Sequence, residues 1–323
     1  MGGLPAYRPM LAQLGAAPAR DEGWAYEMKW DGVRALAYVE DGRVRLYSRN
    51  GKDITAAYPE LAGLADAAGE RPCVLDGEVV AFDAQGRPRF EALQPRMHQR
   101  DPARVRRLMG LVPVSYLLFD VLHVGDRPVI GLPYLDRREL LAGLVRPGPH
   151  WDVPPHLEGV AAARVVDESR RLGLEGIVAK RVGSPYRPGR RSPEWRKVKN
   201  FRSQEVVVGG WQPGQGRRAD TIGSLLVGVY EDGRLRYAGH VGTGFSEAAL
   251  RELDRLLRPL ERAESPFDDE VPREFARSAH WVEPRLVGEV RYAEWTGDHR
   301  LRHPSWRGLR DDKTPGQVRR EDA

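Results

Sequence analysis

The feature that most constrains the fold of this chain is a repeated pattern of alternating apolar and polar residues that runs into a glycine-containing turn and then alternates again. It occurs over 33–48 around Glu40-Asp41-Gly42, over 79–90 around 83–86, and over 225–240 around Glu231-Asp232-Gly233. Glycine accepts the positive φ of tight hairpin turns, and alternation sends successive side chains to opposite faces of a strand. The pattern predicts three antiparallel hairpins.

Segments with helical spacing of apolar residues lie between the predicted strands. We predict helices over 59–68, over 135–145, over 159–172 with Gly173 at the end, and over 247–257 with Ser246 as N-cap and Pro259 as terminator. The reasons are the 3.6-residue period and the known preferences of Ser for N-caps and of Gly for helix ends.

The composition along the chain changes near residues 200–204. Mixed strands and helices precede this point, whereas short strands, many glycines and one helix follow it. At 323 residues the chain is long enough for two domains. We therefore predict an α+β protein with a larger domain over 1–200 and a small β-barrel over 201–323. Four tryptophans of the second segment are expected in the barrel core: Trp211, Trp281, Trp295 and Trp306.

Composition excludes several classes of protein. Hydrophobic residues make up 41% and charged residues 30%, as in soluble globular proteins. No apolar run is long enough to span a membrane and the N-terminus has no apolar signal-peptide core, so we expect a cytoplasmic protein without a membrane partner. The single cysteine, Cys73, and the scattered histidines exclude disulfide frameworks and the usual zinc sites. Any metal would be held by carboxylates or by substrate, which favours Mg²⁺ or Mn²⁺.

The charge balance is mildly basic. Lys and Arg total 51 against 46 acids, a net charge of +5, and basic residues cluster at 181–202 and 300–320. The net charge fits a solvated surface and a polyanion partner equally well, but the clustering favours nucleic acid.

The most informative segment for chemistry is Lys29-x-Asp31-Gly32-x-Arg34, just before the first hairpin. It places Lys29 and Asp31 on one side of an extended stretch. An amine is a nucleophile only when neutral, so neighbouring cations or a bound metal must favour the loss of its proton. Asp31 takes part in catalysis or shapes the turn with Gly32.

Further charged residues interrupt apolar strands. Glu78 follows Asp76-Gly77, Glu175 precedes Gly176-Ile177-Val178, and Lys197 and Lys199 share one strand face because they are two residues apart. A carboxylate in an apolar strand is costly unless it binds a ligand or faces a cleft. One amine, two carboxylates and two more cations could line one cleft.

These motifs resemble, in order, those of ATP-dependent polynucleotide ligases, within the covalent nucleotidyltransferase superfamily that also contains RNA ligases and mRNA-capping enzymes. The segments that carry the resemblance are Lys29-x-Asp31-Gly32-x-Arg34, Ser48-Arg49-Asn50-Gly51, Asp76-Gly77-Glu78, Tyr116-Leu-Leu-Phe119-Asp120, Glu175-Gly176-Ile177-Val178, Lys197-x-Lys199 and 301–313. The last of these and Val241-Gly-Thr-Gly-Phe245 look most like bacterial end-joining DNA ligases. Several ordered motifs are far more specific than any one alone.

The resemblance implies a fold and a reaction. The fold is an ATP-grasp-like nucleotidyltransferase (adenylation) domain followed by an OB-fold. In the reaction, Lys29 attacks the α-phosphate of ATP and forms lysine–AMP, the AMP passes to the 5′-phosphate at a nick, and the 3′-OH then seals the strand.

The resemblance also implies roles for the other motif residues. Lys197 and Lys199 bind the α-phosphate, Glu27 recognises the amino edge of adenine, and the ring of Phe119 stacks on adenine. Glu78 and Glu175 serve the ribose and the Mg²⁺ or Mn²⁺ ion. Arg34 and Arg49 bind phosphate or ribose oxygens, Asp31 is catalytic, and Arg310 and Lys313 bind the β- and γ-phosphates.

The implied partner is nicked double-stranded DNA, together with end-joining repair proteins, in a bacterial, nucleoid-associated monomer. Only 28 residues precede Lys29, so we expect a minimal ligase without a large N-terminal DNA-binding domain. Two alternatives stay open: an RNA ligase or capping-type transferase, and a non-catalytic nucleic-acid-binding OB module.

Overall fold

The computed structural model describes residues 3–97, 99–214 and 221–321. The chain folds as two compact units, Met1–Asn200 and Phe201–Ala323. The division falls where the sequence changes from mixed strands and helices to short strands and glycines.

The first unit contains two sheets and five helices among its described residues. The strands are β1 (Leu11–Leu14), β2 (Trp24–Lys29), β3 (Val33–Glu40), β4 (Arg43–Ser48), β5 (Cys73–Ala81), β6 (Val114–Val124), β7 (Arg127–Pro128), β8 (Trp151–Asp152), β9 (Gly176–Arg181) and β10 (Arg191–Lys199). The helices are α1 (Leu64–Ala68), α2 (Phe90–Leu93), α3 (Pro102–Leu111), α4 (Tyr134–Leu144) and α5 (Ala162–Arg171), with 3₁₀ turns at Thr55–Ala57, Pro59–Gly63 and Gln94–Arg96.

The strand order sets the position of the site. One sheet has the order β1-β10-β9-β2, and the other has the order β4-β3-β5-β6-β7 with β8 paired to β6. One face of the second sheet, which includes Leu36 and Val74, packs against Trp195 of β10. Its opposite face packs on α1 and the turns around it. The Trp195 face of the first sheet therefore faces the second sheet, and α5 covers the other face of the first sheet.

All three predicted hairpins are present, two of them over their full length. β3 pairs antiparallel with β4, and in the second unit β12 (Ile222–Glu231) pairs antiparallel with β13 (Arg234–Val241). The hairpin predicted over 79–90 is present but short: the chain reverses at 83–86, an antiparallel bridge joins Phe82 to Pro88, and α2 begins at Phe90. The N–H of Asp83 donates to the carbonyl of Arg87 at 2.8 Å and the N–H of Arg89 to the carbonyl of Ala81 at 3.0 Å.

The helix predictions are confirmed in position but not always in type or length. The 59–68 segment is a 3₁₀ turn followed by the five-residue α1, and the 159–172 helix begins only at Ala162. The helix over 135–145 is α4, displaced by one residue at each end.

The second unit is mostly strand. Its other elements are β11 (Arg202–Pro213), β14 (Glu261–Arg262), β15 (His280–Val282), β16 (Val287–Tyr292), β17 (Glu294–Trp295), β18 (Leu301–Arg302), β19 (Ser305–Leu309), α6 (Glu247–Leu257) and α7 (Arg273–Ala276), with 3₁₀ turns at Arg258–Leu260 and Pro315–Gln317. The long strand β11 pairs with β12, β15 and β16, so it organises the sheet.

Helix α6 begins as predicted, with the Ser246 hydroxyl accepting the N–H of Ala249 at 3.1 Å. Its leucines pack into the core of this unit, where Trp211 and Trp306 are also buried as expected. Trp281 and Trp295 lie only half-buried at the edge of that core.

Candidate active site

One face of β2, β9 and β10 carries most of the predicted site residues. Lys29, Gly176 and Lys199 are paired across the three strands, and Glu27, Val178 and Lys197 form the neighbouring row. Residues directly opposite on adjacent strands share a face, so Glu27, Lys29, Lys197 and Lys199 project from the same side of the sheet. This is also the side of Trp195, which faces the second sheet.

The Lys29 ammonium forms an ion pair with Glu175. Its Nζ donates to Oε2 of Glu175, and the Nζ of Lys199 lies 3.9 Å from the other carboxylate oxygen. The Lys29 side chain is 23% exposed, whereas that of Glu175 is 7% exposed. The predicted nucleophile is therefore partly exposed and lies beside a buried acid and a second cation.

Two glycines in the motifs are required by close backbone approach. At Gly176 the φ is +150°, and a Cβ there would lie 2.0 Å from the carbonyl oxygen of Val198. A Cβ at Gly32 would lie 2.1 Å from the carbonyl oxygen of Val79. Any larger residue would push these strands apart and displace the neighbouring Glu175 or Asp31.

A second lysine–glutamate pair lies deeper on the same face. The Nζ of Lys180 is 2.6 Å from Oε2 of Glu27, and both side chains are almost fully buried, at 2% and 8% exposed. The Tyr134 hydroxyl donates to Oε1 of Glu27 at 2.6 Å, and Nε of Arg138 is 3.6 Å away. Tyr134 and Arg138 are four residues apart on α4 and so reach Glu27 together.

Burial and charge act in opposite directions on this pair. Burial alone raises the pKa of Glu27, but Lys180 and Arg138 outweigh it and hold that pKa below its ordinary value. Burial lowers the pKa of Lys180, with Glu27 opposing the shift. The Lys180 ammonium also lies over the rings of Trp195, Phe119 and Tyr134, with Nζ-to-centroid distances of 4.2, 4.5 and 5.1 Å.

Arg34 projects from β3 into the same region. Its Nε and Nη2 donate to the two oxygens of Asp76 at 2.9 and 2.6 Å, and its guanidinium lies 5.1 Å from the ring centroid of Phe119. Although burial opposes it, Asp76 raises the pKa of Arg34. Asp76 is fully buried and also accepts from the Tyr186 hydroxyl at 2.6 Å. The Arg34 guanidinium, which is expected to bind phosphate or ribose oxygens, is thus paired with Asp76.

The other predicted residues of this unit occupy different positions around the site. Asp31 is buried, and its Oδ2 accepts the N–H of Phe90 at 3.2 Å, which ties it to the start of α2. Glu78 is paired with Arg34 across β3 and β5. Arg49 is half-buried in the turn that follows β4.

Arg310 and Lys313 belong to a charge cluster within the second unit. Arg310 forms a two-pronged pair with Asp312 at 2.7 and 2.8 Å and donates to Glu289 at 2.5 Å. Lys313 pairs with Glu205 at 2.6 Å. Both cations predicted for the phosphate chain are therefore neutralised by acids of their own unit.

Sequence reasoning missed Lys180, Tyr134 and the Asp76–Tyr186 pair as parts of the site. One compositional signal was available for Lys180, because the chain has only six lysines among its 51 basic residues. Four of those six, Lys29, Lys180, Lys197 and Lys199, lie on one face of one sheet. In such an arginine-rich chain, this concentration of lysines on one sheet face indicates a place where compact ammonium groups are needed.

A family model described as the ATP dependent DNA ligase domain matches residues 9–199, and one described as the ATP dependent DNA ligase C terminal region matches residues 218–313. The chain therefore belongs to the ATP-dependent DNA ligases.

Within this class the relatives include proteins of bacterial end joining. The chain is 45% identical over 314 residues to the multifunctional non-homologous end joining DNA repair protein LigD of Mycobacterium tuberculosis, covering 97% of this chain and 40% of that protein. It is 34% identical over 343 residues to DNA ligase C of the same organism, covering 96% of this chain and 92% of that protein. The chain thus spans 40% of the length of the LigD relative.

A solved structure of mycobacterial DNA ligase D complexed with ATP and MES matches 98% of this chain and 98% of its own, with 43% identity and a TM-score of 0.72. The expected α+β fold, a nucleotidyltransferase domain followed by an OB-like domain, is confirmed. No helix among the described residues is long and apolar enough to cross a membrane.

Proposed function

We propose that this chain is an ATP-dependent DNA ligase that seals 3′-OH/5′-phosphate nicks in duplex DNA through a lysine–AMP intermediate on Lys29. The observation that carries the proposal is the Lys29–Glu175 pair, with Lys199 beside it, on an otherwise lysine-poor chain. The family membership supports the reaction, and the end-joining relatives support bacterial DNA break repair as its setting.

In the first step the Lys29 ammonium gives up a proton, for which Glu175 is the acceptor in contact. The neutral amine attacks the α-phosphorus of ATP, the new N–P bond forms, and pyrophosphate leaves with the electrons of the broken P–O bond. Lys197 and Lys199 neutralise the charge on the α-phosphate oxygens, because they lie on the same face of the sheet as Lys29.

In the second step an oxygen of the 5′-phosphate at the nick attacks the phosphorus of the adenylate, the N–P bond breaks, and Lys29 recovers its proton from Glu175. In the third step the 3′-OH attacks the phosphorus of that activated 5′-phosphate, its proton passes to solvent, and AMP leaves with the electrons of the broken P–O bond. Asp31, Arg34 and Arg49 are the residues we assign to the nick, because a buried carboxylate and two guanidiniums can orient a hydroxyl and phosphate oxygens.

The nucleoside is bound by the deeper residues. Glu27 accepts a hydrogen bond from the adenine amino group, a role for which an ionised carboxylate is suited. The ring of Phe119 stacks on adenine. Glu78 and Glu175 bind the ribose hydroxyls.

A divalent cation, Mg²⁺ or Mn²⁺, fits the donors of the site. The described residues contain no group of three or more His, Cys, Asp or Glu side chains that could cage a metal. Mg²⁺ is commonly held by one or two carboxylates plus substrate phosphates and water, and Glu78 and Glu175 would supply those carboxylates. When bound, the ion neutralises charge on the phosphates.

We assign residues 1–200 to the adenylation domain and 201–323 to the OB-fold domain. Arg310 and Lys313 are assigned to the β- and γ-phosphates, which requires them to exchange Glu289, Asp312 and Glu205 for phosphate oxygens. We also assign a monomer that works in the bacterial nucleoid with other end-joining proteins.

The test uses a nicked duplex with a labelled 5′-phosphate, ATP and MgCl₂. We expect a sealed strand and release of AMP from the wild-type protein and none from Lys29→Ala, whereas the control Lys52→Ala, an exposed lysine, retains sealing. Sealing only of a nicked RNA duplex would make the chain an RNA ligase. Failure to form lysine–AMP would leave a nucleic-acid-binding module.

A further inference from the structure

Helix α3 carries an unusual set of arginines. It contains Arg104, Arg106 and Arg107 and no acid within Pro102–Leu111, and all three side chains are exposed. The acid just before it, Asp101, caps the helix by accepting the N–H of Ala103 at 2.9 Å. Within the part of the chain that the structure describes, none of the three arginines forms an ion pair.

Helix α5 provides the contrast, because it also has ten residues and three exposed arginines. There Arg170 pairs with Asp167 at 2.9 Å and Arg171 with Glu168 at 2.5 Å. Arg164 is the third exposed arginine of α5. Intrahelical pairs of this kind are the usual arrangement on a solvated helix surface.

The two helices also differ in their position relative to Lys29. The buried side of α5 packs against Tyr26, Ile177 and Ala179, which belong to the sheet face opposite to Lys29. Helix α5 therefore lies behind the sheet that carries the nucleophile.

Helix α3 is linked to Asp31 through a helical segment and two hydrogen bonds. Asp31 accepts the N–H of Phe90, and the helical segment that starts there ends at Arg96, whose Nη1 donates to the carbonyl of Val112 at the end of α3.

We propose that Arg104, Arg106 and Arg107 form a phosphate-binding strip that contacts the backbone of duplex DNA. The inference rests on the proposed DNA ligase function and adds the surface that holds the duplex. Cations without acidic neighbours are free to replace the counterions of phosphates, and each such contact adds about 0.9 to the slope of log K against log salt.

The experiment measures the affinity of the adenylated full chain for a 5′-phosphorylated nicked duplex at several KCl concentrations. The strip variant is R104Q/R106Q/R107Q, and the matched control is R164Q/R170Q/R171Q, which removes the same charge from a helix of the same length. A third variant, R104K/R106K/R107K, keeps the charge. Formation of lysine–AMP is measured in every protein before DNA is added, so that a folding defect is seen separately.

We expect the strip variant to lower the salt slope by about 2–3 and the lysine variant to restore it. The control should keep the wild-type slope. An unchanged slope in the strip variant, or an equal change in the control, would overturn the strip while leaving the ligase proposal intact. Failure of the wild-type protein to form lysine–AMP would instead overturn the proposed function.

Discussion

The two lysine–glutamate pairs on β2 and β9 have reversed directions and very different surroundings. Lys29 of β2 reaches Glu175 at the start of β9 and is 23% exposed, whereas Lys180 of β9 reaches Glu27 of β2 and is 2% exposed. Lys29 can meet a substrate and exchange its partner, but Lys180 is enclosed by three aromatic rings. The Lys29–Glu175 pair is therefore suited to catalysis, and the Lys180–Glu27 pair to holding a fixed charge beside the adenine base.

The largest effect should come from the acid of the open pair. Glu175→Gln keeps the shape but removes the carboxylate in contact with Lys29, so we expect the rate of lysine–AMP formation to fall by about 10²–10⁴-fold. The rate is measured by single-turnover labelling with ATP. The control is Glu168→Gln, an exposed glutamate on α5, and equal rates for the two variants would contradict the role of Glu175.

The enclosed pair should dominate stability instead. Lys180→Met leaves a buried Glu27 carboxylate without its main cation, so we expect the free energy of unfolding to fall by about 3–5 kcal/mol. Lys29→Met should cost only about 1 kcal/mol, because Lys29 is partly exposed and Lys199 remains near Glu175. Urea unfolding of both variants tests this, and similar losses would contradict the distinction between the pairs. The double variant Lys180→Met/Glu27→Gln should recover part of the loss.

Lys180→Met should also reverse the way in which the contribution of Glu27 to stability depends on pH. In the wild-type protein the pKa of Glu27 is lowered, so its contribution to stability is present above the unfolded pKa and is lost as the pH falls through the folded pKa. Without Lys180, burial is opposed only by Arg138 and Tyr134, and we expect the pKa of Glu27 to rise above its unfolded value. Its contribution is then present below the unfolded pKa and lost as the pH rises through the folded pKa. We therefore expect Lys180→Met to gain stability relative to wild type between pH 7 and pH 5. A constant difference across this range would contradict the account.

A smaller effect than that of Lys180→Met concerns one hydrogen bond to the enclosed pair. Tyr134→Phe removes the donor at 2.6 Å from Oε1 of Glu27, and a hydrogen bond to a charged group is worth about 1.5–3 kcal/mol. We expect thermal unfolding to report a loss in this range. A loss as large as that of Lys180→Met would mean that the hydroxyl, and not the ammonium, holds Glu27.

The sequence predicted the positions of these residues better than their partners. The motifs located Lys29, Glu175 and Lys199, and period two correctly placed Lys197 with Lys199. The Lys180–Glu27 and Arg34–Asp76 pairs depend on the register of strands that are far apart in the chain, which local periodicity does not encode. The hairpin at 79–90 is shorter than predicted for a local reason, since α2 begins at Phe90 and the return strand ends after one bridge.

The most direct test of the central claim is to locate the AMP. The protein is incubated with ATP and MgCl₂, digested, and its peptides are analysed by mass spectrometry with and without acid treatment. The account predicts one acid-labile adenylate, on Lys29. An adenylate on Lys180, Lys197 or Lys199, or none on any lysine, would contradict it.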